Sequence, residues 1–561
     1  MRTTFSAVLF FILGGVASGS AYAQQPAADQ VRRLTIDDAV RLALENNLGV
    51  QIARINPQLQ DLSIALARSA WVPTLTTVVQ NTGTATPNTS VLSGASTGQN
   101  KTTTDRFASN FGLLQQTPWG GSYQVGWDTT RATTTNIFST FSPQVQSSLS
   151  LSIRQPLLRN FGIDNLRQQV IVSEKNREIA DIGVEQTVAT TSRAVRNAYW
   201  DLAYAVASLS VQQQSLDLAR ESLRETNARI QIGTTPPIDA VAAEAEVAQR
   251  EQAVILAQEQ IESAQDALRS LIFNPQSPDF WTTSIQPTDL PAFQPMTVDV
   301  DAAVRNALQM RTDLLQTRKS IEEANINIQY FRNQSLPDVT ASFDYGLSGL
   351  GGTPVVRTNA LGIPVVTNPT SRSFGQVLSD IFGNQFPNWT LALNISYPIG
   401  HSQQEASLAR AELQNSQNVT QLKNAELQVV TQVRNVARQV QTNAKLVGAT
   451  GVSRSLAEQR LDAEQKKLAA GTSTQFLVFQ AQRDLAQARN DELNAILSYN
   501  RSLVDLETVQ RAPVAGSGTA TVNTVTAANV GSGVTTTSAT PGSTTTSGGT
   551  VTSGGVVGGT Q

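Results

Sequence analysis

Between Gly162 and Gly233, and again between Gly400 and Gly471, no proline interrupts the chain. Each stretch has room for one helix of ~65 residues, about 100 Å long at 1.5 Å per residue. Such a helix far exceeds the ordinary globular length and cannot be buried by one small core. Val188, Val195, Leu202, Leu209, Leu216, Leu223 and Ile230 fall seven apart in the first stretch. Their counterparts 238 residues on are Glu426, Val433, Val440, Val447, Arg454, Leu461 and Leu468, the same register with two polar interruptions. After the first stretch, Val247, Val254, Ile261 and Leu268 continue the spacing. Sustained heptads demand helical neighbours along the whole length. Leu202, Leu209 and Leu216 are therefore expected to form a seam without which the assembled form is lost.

The chain is also duplicated. Ala39-Val40-Arg41-Leu42-Ala43-Leu44 recurs as Ala303-Val304-Arg305-Asn306-Ala307-Leu308, and at the same offset of 264 Pro73 meets Pro337. Leu149 to Pro156 matches Leu391 to Pro398 at 242, and Gly233-Thr234 matches Gly471-Thr472 at 238. Each half reads as a helix, strands, a very long helix and a further helix. Thr35, with Asp38 behind it, and Asp299 are the expected caps of the first helix in each half. That helix is expected to run to Pro73 or Pro337, where proline forbids continuation. At the far ends, Ile232-Gly233-Thr234-Thr235-Pro236-Pro237 and Ala470-Gly471-Thr472-Ser473-Thr474 are tight hairpin tips. Glycine there takes the left-handed helix cap.

Next to the long helices the period switches to two. Trp389, Leu391, Leu393, Ile395 and Tyr397 alternate with polar or small residues, as do Val339, Ala341, Phe343, Tyr345 and Leu347, and Leu149, Leu151 and Ile153. One face is apolar and one polar over ~10 residues, the length of a tilted membrane strand. An ordinary half-buried sheet would show the same alternation, and the long helices decide for the membrane. The halves, 24–273 and 298–511, are joined by a proline-rich connector, 274–297, expected to be irregular. The segment 512–561 contains no Asp, Glu, Lys or Arg and reads as a disordered tail. Residues 1–23 read as a secretory signal, with Arg2, an apolar run from Ala7 to Val16 and Ala21-Tyr22-Ala23 at the cleavage site.

Composition narrows the function. The chain has no Cys, three Met and one His, His401, so disulfides, thiol nucleophiles and Cys-based zinc sites are out. His401 follows a strand end directly and reads as a cap or a solvated side chain, not as a triad member. A net charge of −3 without a basic block argues against nucleic acid. No nucleophile elbow, metal cluster or phosphate loop stands out, and no catalytic residue, cofactor or metal is expected.

The ordered ensemble resembles the outer membrane efflux proteins, the TolC-like channel-tunnels, over about residues 34 to 510. It rests on the duplication, the Tyr397-Pro398-Ile399-Gly400 junction, its Gln155-Pro156 counterpart and the Gly-Thr tips. The resemblance implies a mainly α fold with a membrane β-barrel completed by homotrimerisation and continued as a coiled-coil tunnel through the periplasm. It implies a passive exit duct in a tripartite efflux or type I secretion system, catalysing no reaction. The partners it implies are a periplasmic adaptor, an inner-membrane pump and outer-membrane lipid. On this reading Gly233, Thr234, Gly471 and Thr472 form the adaptor-docking tip, and Asp239, Leu477, Phe479 and Gln480 are candidates for the entrance gate. The family's acidic residues past the second tip are replaced by Phe476-Leu477-Val478-Phe479, which makes an apolar constriction the expectation. A trimeric coiled-coil surface adhesin is the competing class, disfavoured because strands occur twice between antiparallel helices.

The first half departs from the family pattern in one further way. Pro73 and Pro156 stand 83 apart, against 61 for Pro337 and Pro398, a surplus of 22. Phe107, Phe111 and Leu113, then Tyr123, Val125 and Trp127, alternate with polar or small residues around a Pro118-Trp119-Gly120-Gly121 turn. This pair of strands either widens the barrel to six strands per protomer or folds as a hairpin outside the bilayer beside the usual four. The equality of the halves favours the second.

Overall fold

The computed structural model describes residues 31–90, 93–95, 98–276, 280–289, 292–355, 370–400 and 402–514. The signal, His401 and nearly all of the 512–561 tail lie outside them. In the first half, β1 (Val31–Leu34), α1 (Ile36–Asn46) and α2 (Leu48–Ser69) precede four strands. These are β2 (Thr74–Pro87), β3 (Lys101–Gln116), β4 (Ser122–Thr134) and β5 (Phe141–Pro156), followed by α3 (Asn165–Gln231) and α4 (Ile238–Ile272). The second half runs β6 (Ser284–Pro287), α5 (Val300–Met310), α6 (Thr312–Gln334), β7 (Asp338–Pro354), α7 (Phe374–Phe382), β8 (Pro387–Ser396), α8 (Gln403–Ala469) and α9 (Gln475–Val509).

The duplication is exact in helix length where it matters. Both long helices, α3 and α8, have 67 residues, and both return helices, α4 and α9, have 35. It also extends to side chains. Arg68 of α2 pairs with Glu174 of α3 at 2.6 Å, and Arg332 of α6 with Glu412 of α8 at 3.7 Å. These are the same positions in each half.

Two expectations about local structure need correction. The helix opened by Thr35, whose Oγ1 accepts from the Asp38 N–H at 3.2 Å, does not run to Pro73. It breaks at Asn47, whose side chain accepts from Gly49 and Val50 and so starts α2 afresh. The second half repeats the break at Arg311, fully buried and bonded through Nε to Asp313. The connector is not wholly irregular, because β6 pairs in parallel with β1, Val31 opposite Ser284. Tyr199 of α3 clamps that pair, donating from its hydroxyl to the Leu34 carbonyl at 3.0 Å.

The remaining strands form one sheet in the order β2-β3-β4-β5-β7-β8. The surplus strands β3 and β4 therefore stand inside the sheet, and the expectation of a separate hairpin beside four strands is overturned. β3 pairs with β2 from Thr74↔Leu114 to Pro87↔Lys101, and β4 pairs with β5 from Ser122↔Arg154 to Ala132↔Gln144. The reason is backbone satisfaction: a detached hairpin would leave β2 and β5 to find each other and would expose its own edges. α7, unread from sequence, packs over β7, where Val377 occupies the space that side chains at Gly349 and Gly351 would need.

Candidate functional site: the tunnel wall and its tips

The heptads that run the length of α3 and α8 face inward within one chain. Val195 and Leu202 of α3 are fully buried against Ala39, Ala43, Leu268 and Ile272. Val433, Val440 and Val447 of α8 do the same against Ala495, Tyr499 and Leu506. Of the expected seam, Leu202 lies in the core of the protomer, Leu216 is buried and Leu209 half-buried, so its best-packed member serves the protomer's own core. α3 and α9 lie side by side, tied by Arg193–Asp505 at 2.5 Å, Ser208–Asn490 and Arg489–Gln214. The two hairpins α3–α4 and α8–α9 therefore make one curved wall.

Nearer the strands, α6 fills the groove between α3 and α8. Four charges close its contact with α3: Lys175–Glu178 at 3.0 Å, Lys175–Glu322 at 2.9 Å, Lys319–Glu178 at 2.9 Å and Lys319–Glu322 at 3.2 Å. The hydrogen bonds from Lys319 and then Lys175 hold the Glu178 carboxyl below the usual value, and Lys175 does the same first for Glu322. The lysines are raised in turn, Lys175 chiefly by Glu322 and Lys319 chiefly by Glu178.

The duplicate of α6 is α2, and α2 has a neighbour on one side only. It packs on α3 and leaves Leu48, Ile52, Ile55, Leu59, Leu62 and Leu66 exposed, Leu62 at 62% and Leu66 at 72%. Their spacing of four, three, four, three and four is a coiled-coil seam without a partner. At the position equivalent to Lys175, α8 carries Leu413, 73% exposed. The sequence displayed this stripe, but the far longer heptads of α3 drew the reading away from it.

The tips are built alike. Gly233, at φ 78°, donates to the Ile230 carbonyl, and Thr234 N–H to Arg229 at 2.9 Å. Gly471, at φ 75°, donates to Leu468, and Thr472 N–H to Lys467 at 2.9 Å. This is the two-bond glycine cap, and the Thr hydroxyls add a second bond to the same Arg229 and Lys467 carbonyls. Beyond the second tip, Ser473 donates to Glu464 at 2.7 Å. Lys467 and then Ser473 hold that carboxyl below its usual value.

The gate candidates divide. Asp239 sits in the first turn of α4, and Gln480 is exposed. Leu477 is 40% exposed, beside an exposed Phe476. Phe479 is only 3% exposed and points into the protomer, so an apolar constriction made by its ring is not what the fold builds. Val478, next to it, packs on Leu461 and Leu485. Among the described residues no cluster of acidic side chains or His could hold a metal ion, and no helix is long and apolar enough to cross a membrane.

A family model described as outer membrane efflux protein matches residues 120–272 and 303–509. No curated protein sequence matches the chain. Among solved structures, the fold is similar to the CmeC outer membrane channel of Campylobacter jejuni, with a TM-score of 0.58 and 13% identity over 85% of each chain. It is also similar to the outer membrane protein VceC of Vibrio cholerae, with a TM-score of 0.56 and 17% identity over 85% of this chain and 96% of that one. The open-state MtrE channel of Neisseria gonorrhoeae gives 0.57 and 16% identity, over 85% and 89%. At these identities the likeness is one of fold.

Proposed function

The chain belongs to the outer membrane efflux protein family, and from that premise we propose that three copies close a passive exit duct fed by an inner-membrane pump through a periplasmic adaptor. The family fixes the broad function, an efflux channel-tunnel, and with it the surface-adhesin alternative falls away. The observation that carries the trimer is the half-used symmetry of the wall. α6 is held between α3 and α8 of its own chain, while among the described residues its duplicate α2 packs on α3 and otherwise on α1 just before it. Rotating the repeat forward puts α8 of a second copy against α2, so Leu413 of the partner meets Ile55 and Leu59. The four charges inside the protomer, Lys175, Glu178, Lys319 and Glu322, become Leu413, Ser416, Ile55 and Gln58, an uncharged contact between protomers with Leu413 and Ile55 at its centre. The sheet asks for the same closure, since β2 and β8 both end it with an open edge and lipid does not tolerate open edges.

On this reading the strands lie in the outer membrane and the helices in the periplasm. Gly233-Thr234 and Gly471-Thr472 are then the adaptor-docking end, and Asp239, Leu477 and Gln480 stand at the entrance, with Phe479 as packing behind them. No catalytic machinery is needed, because a duct works by geometry.

The test uses the absence of native Cys. Purified trimer in a planar bilayer should show discrete conductance. Thr234→Cys and Thr472→Cys should crosslink to an adaptor in the periplasm and resist an impermeant thiol reagent on intact cells. A chain giving no conductance, or tips labelled from outside, would overturn the duct or its orientation.

A further inference from the structure

Over the lower part of the sheet most side chains of the six strands sort by parity, with charges such as Asp105 and Arg131 reaching the odd-numbered face only higher up. One row reads Leu75, Leu113, Val125, Leu151, Tyr345 and Trp389, in register from β2 to β8. The next reads Thr77, Phe111, Trp127, Leu149 and Leu347. The adjacent polar row on the other face reads Thr76, Gly112, Gly126, Ser150, Gly346 and Asn388. That face bends around a hollow of about 400 Å³ lined by Gln80, Arg106, Asn110, Asp128, Thr130 and Ser148. The surplus strands thus carry the apolar band and the polar hollow without a break. A hairpin lying in water would have no use for Phe107, Phe111 and Trp127 on one face.

The lower end of this hairpin is built into the rim. Gln115 Nε2 donates to the Trp71 carbonyl at 2.9 Å, where α2 passes into β2. Gly120, at φ 88°, lies against the Asn160 carbonyl and the Arg167 guanidinium, where β5 passes into α3. Arg167 is itself held to the Asn160 and Gly162 carbonyls at 2.7 and 2.9 Å. The turn therefore fills the gap between two strand-to-helix junctions.

We propose that β3 and β4 are wall strands, and that three copies of this chain close a barrel of eighteen strands whose membrane pore is as wide as the tunnel below. The proposal rests on the membrane reading of the sheet given above and adds the strand number. At ~4.8 Å between strands and a tilt of about 40°, eighteen strands give a perimeter of about 113 Å and a backbone diameter near 36 Å. Twelve strands would give about 24 Å by the same arithmetic. Near the strands each protomer supplies α2, α3, α6 and α8, twelve helices per trimer, and at 8–10 Å between axes their ring measures roughly 96–120 Å. Eighteen strands match that ring, so the wall continues downward without a step.

The experiment reads strand order and barrel width on the full chain. Val79, Ser109, Thr129 and Ser147 form one row across β2, β3, β4 and β5. Val79→Cys with Ser109→Cys, and Thr129→Cys with Ser147→Cys, should each oxidise to a disulfide within the protomer, as direct neighbours about 5 Å apart can. Val79→Cys with Ser147→Cys should not, since three strand spacings hold them ~14 Å apart. Electron cryomicroscopy of the trimer in nanodiscs should show eighteen strands, and deletion of residues 101–134 should reduce a folded barrel to twelve. A Val79–Ser147 disulfide in an outer-membrane trimer, or twelve strands in the unaltered protein, overturns the proposal while leaving the channel intact. Loss of every single-Cys control from the outer-membrane fraction would instead overturn the membrane reading beneath it.

Discussion

Charging the exposed stripe of α2 should dissolve the trimer while leaving each protomer folded. Leu62 and Leu66 are 62% and 72% exposed in one chain, so most of their apolar surface remains to be buried. Full burial of a Leu side chain is worth about 1.5–3 kcal/mol, so the exposed share comes to roughly 1–2 kcal/mol per residue. Two residues at each of three interfaces amount to about 6–12 kcal/mol per trimer, before the cost of desolvating any carboxylate. At 1.4 kcal/mol per tenfold, Leu62→Asp with Leu66→Asp should weaken assembly by at least ~10⁴. The assay is sedimentation of detergent-solubilised protein beside its circular dichroism: monomer with helicity retained is the expected result. Leu202→Asp gives the contrast, because Leu202 is fully buried inside the chain and its loss should unfold the protomer itself. A stable trimer from the Leu62/Leu66 double variant would refute the rotated-repeat argument. So would failure of Ile55→Cys and Leu413→Cys to join protomers.

The Lys175–Glu178–Lys319–Glu322 contact should give a pH window. The carboxyls are depressed, so their contribution is present above the ordinary glutamate value of 4.5 and fades as pH falls below it, while the raised lysines lose theirs as pH climbs past 10.5. Glu178→Gln with Glu322→Gln should flatten the acid fall of the thermal midpoint, and an unchanged slope would assign that fall elsewhere. Gly233→Val and Gly471→Val meet open space, so the cost should be only conformational, about 1–2 kcal/mol. Hydrogen exchange should quicken at the tips with the trimer intact; an undisturbed tip would mean the positive φ is dispensable. Phe111→Arg should cost ~2–4 kcal/mol near the bilayer midplane and cut the yield of inserted trimer. Asn110→Arg, on the polar face, should be tolerated, and equal yields would remove the band from lipid.

What the sequence disclosed was whatever rests on local periodicity. The long helices follow from two proline-free heptad runs, and the tips from glycines at a left-handed φ that few other residues than Asn take readily. The caps at Thr35 and Asp299 follow from side chains that satisfy free N–H groups. The breaks at Asn47 and Arg311 escaped because neither neighbourhood holds a proline or an interrupted stripe. Asn47 ends one helix only by starting the next, and Arg311 turns the chain by being buried against Asp313. β2 was faint for a compositional reason: between Thr74 and Thr86 only Leu75 and Val79 mark the apolar face, which also holds Thr77 and Asn81, while Val78 falls on the polar one. Only pairing with β3 reveals which face carries Leu75 and Val79.

The heptad seam expected between subunits has Leu202 inside the protomer instead, and the reason lies in the duplication. In a duplicated chain a contact made within each half occurs twice inside the protomer, whereas a contact between the halves, such as α3 with α6, has its counterpart between protomers, and sequence periodicity cannot tell the two apart. Heptad positions on α3 and α8 serve contacts within the protomer, which is why Val195, Leu202, Val433 and Val440 are buried in a single chain. The contacts between protomers must sit on elements whose duplicate is already covered, and chemistry marks the difference. Positions that carry the paired Lys319 and Glu322 on α6 carry Ile55 and Gln58 on α2. A contact formed as the chain folds can use charge, because the helices are already tethered at fixed register. A contact between separate chains must also offset the lost freedom of association, and apolar area supplies that. The replacement of paired charges by uncharged side chains, Leu413 and Ile55 among them, between equivalent helices therefore marks the proposed subunit boundary.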